Sequence, residues 1–440
     1  MKTFLYRIYP ESPLHFGSPR EAGVGERGTR LVIPSDTIFG MLCSAHYDMF
    51  GCAGLVEFSN GSQSGDKEPK ILATVSSGFP FVEKQTGDNE KKYLYLFPRP
   101  LRPLIFSVGI ETGDEFDELR ERLERQSEVN EVEFVSTGVL LKLFVGENSQ
   151  FSTSSEPGPN SLLSLNEIIV HPNVAIRNNE EGEWGSILEN GILRRITRFR
   201  HPQDKSPRIQ KAANDSALRG ENEEATVPAP FATEYIIANK GSDWRIGYYF
   251  LVNIESECQV ENDKKPELEK RIYQCLQKLS DGSFGGKPGW VNVEPVFESA
   301  VVNVNDTVED FLPANAFHLA EAGPFMSLSL FCPTKGEVES ISGRRSREAF
   351  YYRLINRGGF HTLPGKEGKR RKSLTYFSEG SIFYITTGEP FLGRLVEDDT
   401  NGSDPVVRSG RLFPLSIENV RSLQISNEGR NGREVFDVSS

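Results

Sequence analysis

An α+β fold is what this chain predicts, built as two units that each back an antiparallel sheet with helices in a split βαβ order. Three observations carry that expectation. One helix near residue 40 and another near residue 272 each show an apolar stripe at helical spacing. Short apolar strands flank both helices. The strand–helix–strand order occurs twice along 440 residues, a length that suits two domains.

The first unit is expected over residues 1–240 and the second over 241–440. Residues 3–9 read as the first strand. Leu14-His15-Phe16-Gly17 follows, then a loop with Gly23, Gly25 and Gly28 that also carries Arg20, Arg27 and Arg30. Ser35 or Asp36, after Pro34, is placed to cap the first helix, with Ile38, Leu42, Ala45 and Met49 facing inward. Residues 59–70 are a polar loop, and strands are expected at 71–75 and 93–97. An acidic, solvated helix is expected over 115–126, strands over 132–135 and 139–145, and a Ser/Pro/Gly loop over 147–160.

A long insertion then spans about 168–233. It contains RRITRFRHPQDKSPRIQK, rich in Arg and Lys, followed by acidic and Pro-rich ENEEATVPAP, and reads as extended or partly disordered. Tyr248–Ile254 is an apolar strand. In the second helix Leu268, Ile272, Cys275, Leu276 and Leu279 make the stripe, Pro266 suits the first turn, and Asp281-Gly282 ends it. Gly282, Gly285, Gly286 and Gly289 leave a bare loop, and Val291, Val293 and Val296 resume as a strand. Further strands are expected at Met326–Phe331, Phe350–Ile355 and Ser381–Thr387, before a polar tail.

The glycine loop at 282–289 lets another backbone approach, commonly one carrying phosphates. Gly285-Gly286-Lys287 is not a P-loop, because Pro288 stands where Ser or Thr is needed and a strand follows instead of a helix. The helix-before-loop order is also the reverse of a dinucleotide fold. A plain turn stays open as the alternative.

Bulk chemistry narrows the classes. Charged residues are 25% and apolar residues 37% of the chain. No apolar run is long enough for a membrane span. Five scattered cysteines without a C-x-x-C suggest reduced thiols in a cytoplasmic protein, and no Cys/His group has zinc spacing. The net charge of −12 argues against non-specific nucleic-acid binding, but its distribution is uneven. Residues 111–133 hold ten acidic and three basic side chains, whereas 344–372 hold ten basic and two acidic ones. A local basic field is what a phosphate meets.

Several segments in order resemble one family. These are LHFG at 14–17, PSDTIFGMLCSA at 34–45, FPRPL at 97–101, HPNVAIRN at 171–178, SFGGKPG at 283–289, MSLSLFCP at 326–333, YYRLINRGGF at 351–360 and EGSIFYI at 379–385. Together they resemble the fourth subunit of the type III-A CRISPR Csm complex, a member of the repeat-associated superfamily built on RRM-like, ferredoxin-like folds. The resemblance covers the chain from near Met1 to about residue 420. It implies two RRM-like domains with a thumb-like insertion at about 171–233. It implies a non-catalytic RNA-binding subunit that holds the repeat-derived 5′ tag of the CRISPR RNA in antiviral defence. The implied partners are the large Palm-domain subunit, a signalling cyclase and nuclease, and a backbone subunit, with target RNA met only indirectly. No cofactor or metal is expected.

Holding a tag needs exposed N–H groups or Arg and Lys for phosphates, and aromatic or Arg faces for unpaired bases. The residues expected to supply them are His15, Gly17 and Arg20; Arg177; Arg194, Arg195, Arg198, Phe199 and Arg200; Gly285, Gly286 and Lys287; Arg344, Arg345 and Arg347; and Arg357. For each basic segment the plain alternative is a solvated surface. Two other functions remain open. One is a repeat-processing endoribonuclease of the same superfamily, with His15 as its base. The other is the equivalent subunit of a III-B or III-D assembly. About 150 residues follow the glycine loop, which favours the scaffold, since processing enzymes carry that loop near the C-terminus.

Overall fold

The structure, a computed structural model, describes residues 2–10, 13–16, 26–27, 29–51, 55–57, 70–87, 90–101, 127–128, 131–145, 168–200, 231–254, 265–280, 290–295, 311–318, 323–342, 351–358, 360–361, 369–370, 373–385, 393–398 and 406–420. The expected acidic helix at 115–126, the loop at 147–160 and the glycine loop at 282–289 lie outside them.

Strand β1 (Lys2–Pro10) alternates Phe4, Tyr6 and Ile8 with Leu5 and Arg7, and all five are buried. Helix α1 (Ser35–Phe50) buries Ile38, Phe39, Leu42 and Ala45 and ends at Gly51, whose φ of 74° is the left-handed conformation glycine takes without strain. Met49, expected inward, is exposed, because the last turn of α1 runs past the core. Strands β2 (Ala73–Val75), β3 (Phe79–Gln85) and β4 (Lys91–Pro98) follow.

Next come β5 (Phe134–Ser136) and helix α2 (Thr137–Val145). Residues 139–145 are therefore helical and not a strand. Leu-rich VLLKLFV has the length and polarity of either element. The Ser136 hydroxyl accepts the Val139 N–H at 3.2 Å and so starts the helix. Strands β6 (Ile168–His171) and β7 (Val174–Arg177) form a hairpin, and α3 (Asn178–Leu188), β8 (Leu193–Arg200), β9 (Phe231–Ala238) and β10 (Trp244–Ile254) follow. Helix α4 (Lys265–Ser280) buries Ile272, Cys275, Leu276 and Leu279, the expected stripe, and leads to β11 (Trp290–Pro295).

One large sheet has the order β11–β1–β10–β3–β4–β5–β7–β6, with β2 also beside β10. Every pairing is antiparallel except β5 with β7. Strand β10 lies beyond the expected boundary at residue 240, yet it pairs with β1 from Lys2↔Ile254 to Ile8↔Tyr248. Strand β11 pairs with the other edge of β1, and α1 packs on α4. Residues 244–295 therefore complete the first unit instead of opening the second. Within the first unit β1, α1, β3, β10, α4 and β11 follow the order strand–helix–strand–strand–helix–strand, and β11 lies beside β1. Strand β2 comes after α1, and the elements from β4 to β9 are inserted between β3 and β10.

The C-terminal part contains β12 (Gly323–Ser327), α5 (Lys335–Ser342), β13 (Leu354–Arg357), β14 (Leu374–Phe377), β15 (Ile382–Ile385), β16 (Gly393–Asp398), β17 (Val406–Arg411) and β18 (Pro414–Ser416). Its central sheet runs β15–β12–β18, and Tyr351 bridges to Ile382 on the outer side of β15. Hairpins β13–β14 and β16–β17 flank it.

The two parts meet at the start of α1. The Ser35 hydroxyl accepts the Leu330 N–H at 2.9 Å, so Ser35 does not cap its own helix. The Asp36 carboxylate accepts Arg357 Nε at 2.9 Å, and Arg357 Nη2 also reaches the Thr37 hydroxyl at 3.2 Å. Glu379 is buried. It accepts the Ser77 hydroxyl at 2.6 Å and Arg30 Nη2 at 2.5 Å. The backbone joins as well: Ser77 N donates to Leu328 O at 2.8 Å and Leu101 N to Gly380 O at 2.9 Å.

Arg357, expected to contact RNA, serves as an anchor between the two parts: its guanidinium bonds Asp36 and Thr37 and is 13% exposed. Breaking a buried pair strands the remaining charge. Arg357→Ala should lower unfolding free energy by about 3–5 kcal/mol in urea titrations. Asp36→Leu combined with Arg357→Leu should recover most of that loss, because neither charge is then left alone.

Candidate nucleic-acid interface

The basic run at 194–200 forms β8, which pairs with β9 along its length. Residues 26–27 add a parallel edge to β9, and Leu14 bridges to Ile236 from the adjoining segment. Leu193 and Ile236 are buried and root this sheet on the core. Arg194 and Arg195 are exposed. Arg195 Nη2 meets the Glu133 carboxylate at 3.2 Å, with the two side chains 48% and 40% exposed, a pair that water screens and that a phosphate can displace. Positions 198, 199 and 200 continue the strand opposite Thr233, Ala232 and Phe231.

His15 lies against the same sheet. Its Nδ1 sits 2.8 Å from the Glu234 carbonyl, which fixes that nitrogen as the N–H donor, and its ring lies 5.7 Å from Tyr235. Glu234 also uses its carboxylate to accept the Thr29 N–H at 3.1 Å, and the Thr29 hydroxyl accepts the Phe16 N–H at 3.0 Å. The arrangement clamps residues 14–16 and 29 onto β9.

Arg177 ends β7, and its N–H donates to Glu180 at 2.7 Å at the start of α3. It is half-buried at a helix start, one strand in from the edge of the large sheet farthest from β1. Gly17, Arg20, Gly285, Gly286, Lys287, Arg344, Arg345 and Arg347 lie outside the described residues.

One face of the large sheet is aromatic, a feature the sequence reading passed over although Tyr93, Tyr95 and Phe97 alternate in β4. Arg7 donates to the Tyr95 hydroxyl, and its guanidinium lies 3.5 Å from the Tyr93 ring centre. Phe311 covers this face, with ring centres 4.7 Å from Tyr95, 5.5 Å from Tyr249 and 5.6 Å from Phe97, and Phe317 stacks behind it at 5.8 Å. Tyr95, Phe97 and Tyr249 are fully buried, so no base can stack on them. At the rim Arg245 lies over Tyr9 at 3.5 Å and bonds Glu83 at 2.9 Å.

Residues 320–417 match the family model described as CRISPR Csm4 C-terminal domain. That match covers the C-terminal part described above, from β12 to β18. The blocks MSLSLFCP, YYRLINRGGF and EGSIFYI all fall inside the matched residues. Each supplies one anchor to the joint at α1: Leu330, Arg357 and Glu379 respectively. No curated protein matches the chain. Among solved structures it is similar to a crystal structure of a Csm1–Csm4 cassette in complex with pppApA, at 15% identity over 94% of this chain and 98% of the other, with a TM-score of 0.42. A Csm1–Csm4 cassette in complex with cA4 matches at 15% identity over 94% and 97%, with a TM-score of 0.41.

Among the described residues no group of His, Cys, Asp and Glu is placed to hold a metal ion. At the rim of the large sheet, Glu83 links its ion pair with Arg245 to acid stability. Burial would raise its pKa, but hydrogen bonds from Arg245 and Tyr9 and the charges of Arg245 and Lys91 outweigh that and hold the carboxyl below its ordinary value of 4.5. A carboxyl depressed in the folded state stabilises above its unfolded pKa, and the contribution is lost as pH falls through the folded value. Glu83→Gln should therefore be less stable near neutral pH and show a shallower loss of stability in acid, read by thermal unfolding across pH.

Proposed function

We propose that this chain is the non-catalytic RNA-binding subunit of a type III-A CRISPR interference complex. It holds the repeat-derived 5′ tag of the CRISPR RNA and joins the large Palm-domain subunit to the backbone subunits. The Csm4 C-terminal domain at 320–417 supports the assembly. The single observation that carries the RNA part is the exposed pair Arg194 and Arg195 on a strand rooted in the core by Leu193. A rigid strand presents guanidinium groups with less loss of freedom than a loop does.

Connectivity supports reading both units as RRM-like. In the first, the order β11–β1–β10–β3 places fourth, first, third and second strands side by side. In the second, β18–β12–β15 with Tyr351 beyond repeats that order, and hairpin β16–β17 stands where a second helix would. An ordinary RRM uses its open sheet face for bases. Here Phe311 and Phe317 cover that face, which favours RNA contact by strand edges, hairpins and loops instead.

The proposal assigns His15 to positioning, not to catalysis. Its Nδ1–H is committed to the Glu234 carbonyl, and its ring sits beside Tyr235. Incubation with labelled repeat RNA should leave the RNA intact.

Arg194→Ala with Arg195→Ala should weaken binding of tag-bearing RNA and reduce the salt slope of log K by about one to two. Thermal stability should stay within about 0.5 kcal/mol, because both side chains are in water. An unchanged salt slope would assign the two arginines to plain surface.

A further inference from the structure

We propose that Tyr352 and Arg353, with Arg99 beside them, form a second nucleotide-binding patch that takes one unpaired nucleotide of single-stranded RNA by its base and phosphate. The inference rests on the RNA-binding role proposed above and adds residues that the sequence reading did not single out.

Tyr352 is 51% exposed and Leu354 53%, whereas most large apolar side chains among the described residues are buried. Phe377 meets the Tyr352 ring edge-on at 5.1 Å, so the ring is held while about half of its surface stays in water. A preordered, exposed aromatic ring is a stacking platform, since every base has a π-face.

The turn at 378–380 sets the charges beside it. The Ser378 N–H donates to the Arg353 carbonyl at 2.9 Å, and Leu101 N donates to Gly380 O at 2.9 Å. Gly380 has a φ of 80°, and a Cβ there would collide with the Arg99 carbonyl. The strand end at 351–353 and the segment 99–101 thus close on opposite sides of one tight turn. Arg99 gives its guanidinium to two neutral acceptors, the Val132 carbonyl at 3.1 Å and the Pro100 carbonyl at 3.2 Å. Burial lowers its pKa, and the charge of Arg353 lowers it further. Neither arginine has a carboxylate partner among the described residues. Two guanidinium groups held near each other without a counter-charge favour an anion, and a phosphate matches their donor geometry.

The patch also joins the basic strand. Arg99 N donates to the Glu133 carbonyl oxygen at 3.0 Å, and the Glu133 carboxylate is the partner of Arg195. Glu133 therefore stands between Arg99 and β8. One RNA strand can run from Arg194 and Arg195, past Glu133, to Arg353 and Tyr352. An acidic protein surface would use the two arginines but would not need the flat ring, so RNA is the better fit.

The test uses the full chain and a short fluorescent single-stranded RNA carrying the tag, read by anisotropy at several salt concentrations. Tyr352→Ala should weaken binding roughly tenfold with the salt slope unchanged, and Tyr352→Trp should keep wild-type affinity. Arg353→Ala should weaken binding and lower the salt slope by about one. Melting temperatures of all three variants should match wild type, because both side chains are exposed. Wild-type affinity in both alanine variants overturns the patch and leaves the RNA-binding role standing. A wild-type chain that binds no RNA overturns both. Unchanged RNA affinity with weakened co-purification of the large subunit assigns the patch to a protein contact and overturns it as well.

Discussion

The buried ion pair between Asp36 and Arg357 is the constraint on which the rest of this molecule depends. Asp36 sits at the start of α1, where a carboxylate also suits the helix dipole. Arg357 comes from the far end of the chain and turns that start into a docking point. Ser35 and Thr37, on either side of Asp36, bond the same C-terminal part. Glu379, Ser77 and Arg30 repeat the device next to it. Residues that would cap a free helix are thereby used to hold two sheets together.

That joint has a consequence for function. Once the C-terminal part is seated, Phe311 and Phe317 lie over the aromatic face of the large sheet, and Arg7 is enclosed with Tyr93 and Tyr95. That face of the sheet becomes core. The exposed cationic and aromatic groups lie elsewhere, at Arg194 and Arg195 on β8 and at Tyr352. Net charge follows the same division: a chain of −12 can still present local guanidinium groups where its acids are absent or already paired.

Periodicity made the α+β class legible, along with α1, the buried stripe of α4 and the apolar strand β10. Each has a run long enough for the 3.6 or 2.0 repeat to declare itself. Residues 139–145 misled because a short Leu-rich run fits either element. The unit boundary misled for a different reason. Strand β10 pairs with β1 across more than two hundred residues, and no local signal records such a pairing. The pairing of Arg357 with Asp36 left no mark in the local sequence. The two residues lie 321 positions apart in the chain. The exposed Arg194 and Arg195 were legible, since alternation along an Arg-rich strand must leave some of them in water. The placement of Arg353 and Arg99 was not, because it comes from the turn at 378–380, where Ser378 N–H bonds the Arg353 carbonyl and Gly380 packs on the Arg99 carbonyl.

The joint at α1 predicts that the two parts unfold together. All three tryptophans, Trp184, Trp244 and Trp290, lie in the first unit, so their fluorescence reports that unit alone. Hydrogen exchange of β12, β14 and β15 reports the other. Equilibrium urea unfolding followed by both should give coincident transitions with one midpoint. Loss of exchange protection in β12, β14 and β15 at lower urea, with tryptophan fluorescence still native, would contradict the account.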